Sequence, residues 1–150
     1  MTNPTTPTTL PTVPIPRNIS LLSLAIPFPP TAPPNFPTLL QSSFAKAATN
    51  NIHLEHHTID PHLPATESLS GLPSLISSRK WDVISIGFGL RGNKELTGLF
   101  EGVVNLVVEF GCGYGREGQG EGKGNGGKRT RLAFAVVPDE ICEVAGRVMG

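Results

Sequence analysis

The chain has 150 residues, a formal net charge of zero and a sequence pI near 6.9. This length fits one domain, and the balanced charge gives no electrostatic argument for a nucleic acid or an anionic membrane as a partner. Cys112 and Cys142 are too few for a disulfide framework, and no apolar run reaches the roughly 18 residues of a membrane span. We therefore expect a cytoplasmic protein. An organellar presequence is the alternative, because the first 54 residues contain no acidic side chain.

Two segments have a composition that does not support a packed core. Residues 1–18 are rich in threonine and proline, and nine of the 17 glycines fall between Gly111 and Gly127. Such segments bury too little apolar surface to offset the entropy of ordering. We predict a disordered tail over 1–18, a disordered glycine-rich loop over 111–128, and a single α/β domain over 19–150.

The rest of the chain alternates strand and helix patterns. The apolar run Ile19–Ile26 predicts a buried strand, and apolar residues recur at helical spacing from Thr38 to Ala48. Ile52–Ile59 alternates as a strand with one apolar side. Leu72 to Ile76 predicts a short helix with Pro73 in its first turn.

The second half of the chain repeats this alternation. The segment "WDVISIGFGL" at 81–90 is apolar on both faces, which is typical of a central parallel strand. Asn93 can cap the next helix, which carries a wide apolar stripe from Leu96 to Phe110. Arg131–Val137 predicts a fourth strand, and Asp139 opens a last short helix.

Four strands that alternate with helices predict a small parallel sheet with right-handed crossovers and helices on both faces. We expect a doubly wound α/β fold with the strand order 2-1-3-4. In that layout, ligands bind beyond the carboxyl ends of the strands, at the switch point between strands one and three. The candidate rim comprises Pro27–Pro30, His56–Asp60, Gly87–Gly92 and Pro138–Glu140.

Residues 87–92, "GFGLRG", match the G-x-G-x-x-G pattern of dinucleotide-binding proteins. The match follows the third strand instead of the first, and its helix is expected to begin only at Asn93. No acidic residue ends the following strand about 20 residues later, where the ribose contact would lie. The pattern therefore does not predict NAD or FAD, and the cofactor is left unassigned.

The same segment predicts a contact for a phosphate or carboxylate. Glycines at the end of a strand allow unusual dihedral angles and close approach, helix N–H groups favour an anion, and Arg91 is a bidentate donor. The candidate ligand-binding residues are Gly87, Gly89, Arg91, Gly92, Asn93 and Asp139. The alternative is that the glycines form a tight turn and that Arg91 pairs with a surface carboxylate.

Other chemistry has weaker support. Four histidines, His53, His56, His57 and His62, fall within ten residues, but His53 and His57 share one strand face while His56 points to the other. Too few ligands converge for a closed zinc site, so no metal is predicted. Residues 122–129 miss the P-loop pattern because Arg129 replaces its Ser/Thr. With no evident acid, base or activated nucleophile, enzymatic activity is left open and no catalytic residue is assigned.

Two blocks of sequence, "WDVISIGFGLRGNKELTGLFEGVVNLVVE" and "LAFAVVPDEICEVAGR", resemble a group of small uncharacterised microbial α/β proteins. The resemblance covers about residues 80–110 and 131–147. It rests on Gly87, Gly89, Arg91, Phe100, Glu101, Asn105, Pro138 and Asp139. It implies a flavodoxin-like or Rossmann-like fold and no established activity.

The leading hypothesis is a module that binds a small anionic ligand at the rim of the third strand, with Arg91 as the contact and Asp139 opposite. The alternative is a non-catalytic structural or interaction module. A four-stranded sheet leaves two edges, and Gly98 and Gly102 lie on one helix face that could pack in a homodimer.

Overall fold

The computed structural model describes residues 18–111 and 130–149. Apart from Asn18 and Gly111, the predicted disordered segments over 1–18 and 111–128 lie outside these residues. Within the described ranges, no helix combines the length and the apolar character needed to cross a bilayer.

The elements alternate as the sequence predicts. In chain order they are β1 (Ile19–Ala25), α1 (Phe36–Thr49), β2 (Ile52–Thr58), α2 (Ala65–Ser68), α3 (Leu72–Ser77), β3 (Val83–Gly87), α4 (Phe88–Arg91), α5 (Thr97–Leu106), β4 (Arg131–Ala135) and α6 (Ile141–Met149). Short 3-10 turns at Lys94–Leu96 and Pro138–Glu140 precede α5 and α6, and a π turn at Val107–Gly111 extends α5.

All four strands are parallel, and their order across the sheet is β2-β1-β3-β4. The predicted fold class, a small doubly wound parallel α/β sheet in the order 2-1-3-4, is confirmed. The two central strands are buried on both faces over Leu21–Leu24 and Val83–Ile86, which explains their nearly continuous apolar sequences.

Successive side chains of a strand point to opposite faces, so the sheet separates two cores. Leu22, Leu24, Ile84 and Ile86 pack against α3 and α5, on what we call the α3/α5 face. On the opposite side, the α1/α6 face, Leu21, Val83, Ala133 and Ala135 pack against the apolar side of α6, with Leu40 of α1 against them.

The chain after β3 differs from the prediction. A helical turn, α4, begins at Phe88 directly after the strand, whereas the sequence placed the helix start only at Asn93. The turn ends at Gly92, and Asn93 then caps the next turn as predicted, its Oδ1 accepting the backbone N–H of Glu95 at 2.9 Å. Gly71 and Pro73 begin α3 as expected.

Candidate functional site

A cavity of about 240 Å³ lies at the carboxyl ends of the strands, and we call it the rim cavity. The ends of β1, β3 and β4 contribute Ala25, Gly87 and Ala135 to its wall. The chain leaves β1 toward α1 on one face and leaves β3 toward α4 and α5 on the other, so the two connections diverge here. This is the switch point at which doubly wound sheets bind ligands.

The wall of the rim cavity is almost entirely apolar. The connection from β1 to α1 supplies Pro27, Pro29 and Pro33, which have no backbone N–H. Phe28 and Phe36 also line the cavity and pack edge to face, with 5.5 Å between ring centroids. This wall therefore offers a ligand extensive apolar contact and few hydrogen-bond donors.

Three polar side chains lie together among the lining residues. Ser23 is paired in register with His56 of β2 on one side and with Ser85 of β3 on the other, so all three side chains project from the α1/α6 face. The Ser23 Oγ lies 3.1 Å from the His56 Nδ1, a hydrogen bond. We call this row the polar floor.

The Ser85 hydroxyl has no hydrogen-bond partner among the described residues. Ser85 is only 1% exposed, and it lines the rim cavity. A buried polar group without a partner destabilises the fold, so such groups are rare and call for an explanation.

Burial lowers the pKa of His56, and the nearby His57 lowers it further. Its ring packs edge to face against Phe44 on α1, with centroids 6.5 Å apart. Near neutral pH the polar floor is therefore uncharged. His53 and Trp81 stack on the opposite face of the sheet, as the predicted alternation of the histidines requires. No group of three metal-ligating side chains occurs in residues 18–111 or 130–149.

Arg91 is held between two aromatic rings. Its Cζ lies 5.2 Å from the ring centroids of both Phe88 and Phe134. Its Nε is buried and has no hydrogen-bond partner in the described part of the chain. Phe134 packs toward Phe100 of α5, so Arg91 lies on the α3/α5 face. It is absent from the lining of the rim cavity.

Asp139 lies on the other side of the sheet. Its backbone carbonyl accepts a hydrogen bond from the Lys46 Nζ at 3.1 Å, and Ser43 donates to the carbonyl of the preceding Pro138. These bonds hold the segment after β4 against α1. The structure therefore does not bring Arg91 and Asp139 together.

The glycines of the predicted anion site have ordinary backbone dihedrals. Gly87 and Gly92 have φ of −75° and −88°, and Gly89 lies within α4. Gly87 and Gly89 pack closely within the chain, because a Cβ on either would lie 3.2–3.3 Å from the Ala25 or Ile26 side chain. Close approach of an anion to these glycines stays a prediction. Gly87 and Gly89 line the rim cavity, whereas Gly92 and Asn93 do not.

Within residues 18–111 and 130–149, neither a reactive cysteine nor a serine triad is supported; Cys112 lies outside the described residues. Cys142 is buried, and burial raises the pKa of its thiol. The Ser23–His56 pair lacks an acidic partner for the histidine among the hydrogen bonds of the described residues. A hydrolytic triad requires such a partner and an oxyanion hole. Among the described residues, the polar floor therefore lacks the acidic member of a hydrolytic triad.

The fold and the rim cavity define a class of protein, a small parallel α/β domain with a crevice at the carboxyl ends of its strands. Comparison with protein-family models, curated proteins and solved structures gave no match. The function must therefore be inferred from the cavity and its side chains.

We predict that Ser85→Ala stabilises the ligand-free protein by about 1 kcal/mol, because it removes a buried hydroxyl without a partner. Urea unfolding measures the change. Ser74→Ala, at an exposed position of α3, is the matched control and should shift stability by less than about 0.5 kcal/mol. Destabilisation by Ser85→Ala similar to that of a buried, hydrogen-bonded serine would contradict the prediction.

The lowered pKa of His56 predicts a specific loss of stability in mild acid. In the unfolded chain this histidine takes up a proton near pH 6.5, whereas the folded state resists protonation to a lower pH. The contribution of neutral His56 to the free energy of unfolding is therefore complete above about pH 6.5 and is lost as the pH falls through the pKa of the folded state. His56→Gln should flatten the fall in unfolding free energy between pH 7 and 5. His62→Gln, at an exposed site outside the cavity, controls for removal of a histidine, and equal slopes for the two variants would refute the assignment.

Proposed function

We propose that this chain is a small-molecule-binding module and that its ligand occupies the rim cavity. The observation that carries the proposal is the unpartnered, buried Ser85 hydroxyl in the wall of a cavity at the switch point of the sheet. Pockets of this kind combine an apolar wall with a few placed polar groups, and the wall gives affinity while the polar groups give orientation.

The arrangement around the cavity supports a pre-formed site. Ser43 and Lys46 fix α1 to the segment after β4, and the salt bridge from Lys46 Nζ to Glu143 at 2.9 Å adds α6. Two residues of the polar floor, Ser23 and Ser85, belong to the buried stretches of the two central strands. A ligand would therefore meet side chains already in place and lose little affinity to ordering of the protein.

The binding proposal is tested with the uncharged, environment-sensitive dye prodan. We expect a saturable blue-shifted emission with the native chain and at least about tenfold weaker binding by Ala32→Phe, because Ala32 lines the cavity and a larger side chain fills it. Thr31→Phe is the matched control. Thr31 is the exposed neighbour of Ala32, outside the lining, and this variant should bind like the native chain.

Two outcomes of the dye experiment count against the proposal. If Ala32→Phe and Thr31→Phe bind the dye equally well, the dye lies elsewhere on the surface. If the native chain gives no saturable signal, the cavity does not bind small molecules of this kind. Circular dichroism of each variant establishes that the fold is retained.

A second candidate function is the binding of a small phosphate- or carboxylate-bearing ligand at the end of β3. The buried, unpartnered Nε of Arg91 favours it, since this atom is a donor without an acceptor. The two flanking rings hold the guanidinium in place. The contact would lie on the α3/α5 face, and Asp139 would have no part in it.

The anion candidate predicts a specific response to inorganic phosphate. At constant ionic strength, phosphate should raise the melting temperature of the native chain in a saturable way, and Arg91→Gln should abolish the rise. Arg79→Gln is the matched control, because Arg79 also lies over an aromatic ring, 5.3 Å from the centroid of Trp81. An equal loss in both variants, or no saturable rise, argues against a site at Arg91.

The structural or interaction module stays the alternative to both. A Cβ on Gly102 would lie 2.9 Å from the Leu69 Cδ1, whereas one on Gly98 would meet open space. Gly102 thus serves packing within its own chain, and a homodimer through the Gly98/Gly102 face stays a prediction. So do the flavodoxin-like assignment, the resemblance to uncharacterised microbial proteins, the cytoplasmic location and the absence of a nucleic-acid partner.

A further inference from the structure

We propose that the rim cavity takes an uncharged, largely apolar small molecule that carries one carbonyl or hydroxyl group, and that the Ser85 hydroxyl recognises this group. The inference rests on the proposed function, since it names the class of ligand for the same cavity. It is drawn from three properties of the lining: its apolar wall, its lack of charge and the one serine hydroxyl that has no hydrogen-bond partner among the described residues.

The apolar wall defines the body of the ligand. Carbon atoms from proline, phenylalanine, alanine and aliphatic side chains form most of the lining. Contact with such a wall removes apolar ligand surface from water at about 25 cal/mol per Å². A strongly polar molecule such as a sugar would lose its hydration there and find few replacement hydrogen bonds.

The charge of the surroundings selects against ions. The lining contains no lysine, arginine, aspartate or glutamate, and its one histidine is held in the neutral form by burial. The Glu140 Oε1 accepts the backbone N–H of Val136 at 3.0 Å, which places a carboxylate next to a lining residue. Arg91 likewise lies outside the lining, with its Cζ 5.2 Å from the ring centroid of the lining residue Phe88. An anion inside the cavity would therefore be desolvated without a cationic side chain in the lining.

The hydroxyl of Ser85 defines the polar group. Ser23 already shares a hydrogen bond with His56, whereas its register partner Ser85 is unpartnered. A serine hydroxyl can donate to a carbonyl oxygen, and it can both donate to and accept from an alcohol. A ligand with either group satisfies Ser85, while a pure hydrocarbon leaves it buried and without a partner.

Three similar one-ring compounds test the inference: acetophenone, ethylbenzene and benzoate. Each is titrated at pH 8, where benzoate is ionised, and dissociation constants are taken from amide shifts of lining residues in NMR spectra. We expect benzoate to bind at least about tenfold more weakly than acetophenone, because the cavity has no cation to replace its hydration. Acetophenone and ethylbenzene should both bind, and Ala32→Phe should block both.

The decisive comparison is the response of each compound to Ser85→Ala. The variant should weaken the binding of acetophenone by about 3- to 10-fold, which is the range for one net hydrogen bond. It should leave the dissociation constant of ethylbenzene unchanged or slightly lower it. Ser74→Ala should leave the dissociation constants of both compounds unchanged. Because Ser85→Ala replaces an unpartnered hydroxyl, we expect it to fold, and the ethylbenzene titration reports directly that its cavity is intact.

The outcomes separate the two levels of the proposal. If acetophenone and ethylbenzene bind and Ala32→Phe blocks them, but Ser85→Ala affects them equally, the Ser85 assignment is overturned while the cavity remains a binding site. If benzoate binds as tightly as acetophenone, the proposal that the ligand is uncharged is overturned. If neither compound shifts the lining residues and prodan does not bind, the proposed function itself fails.

Discussion

The pairing of β1 with β3 is the constraint on which the rest of the structure depends. Both strands are buried on both faces, so each face of the sheet needs its own layer of helices. The chain meets this need by leaving β1 toward the α1/α6 face and β3 toward the α3/α5 face. Two connections that diverge from neighbouring strand ends cannot close over the gap between them. The rim cavity is therefore a consequence of how the central pair is covered.

The composition of the connection after β1 then determines the character of that gap. Its prolines lack N–H groups and carry apolar rings, so the wall they form offers a ligand few hydrogen-bond donors. At the floor, the paired positions Ser23 and Ser85 carry hydroxyls within strand stretches whose other buried residues are apolar. His56 satisfies the first hydroxyl but not the second. The difference between the two serines is the strongest indication of where a ligand would be recognised.

Much of the fold follows from local sequence patterns, whereas the polar floor does not. Apolar runs and helical spacing predicted all four strands and the longer helices, and their alternation predicted the strand order. The available signal for the floor was the occurrence of serines inside buried strands. Which polar residues become neighbours, however, depends on strand register, and register is set by pairing between segments distant in sequence.

The placement of Arg91 and Asp139 is a second feature that the sequence could not predict. Both follow the end of a strand, so the sequence places both at one rim, but it does not specify the face of the sheet. Arg91 lies over the ring of Phe134 on one face, whereas the Asp139 carbonyl accepts a hydrogen bond from Lys46 on the other. A rim of a two-sided sheet thus has two separate chemical environments. Here the charged donor lies on the α3/α5 face and does not line the apolar cavity, and for this reason we propose a neutral ligand for the cavity and treat an anion as the occupant of a separate site.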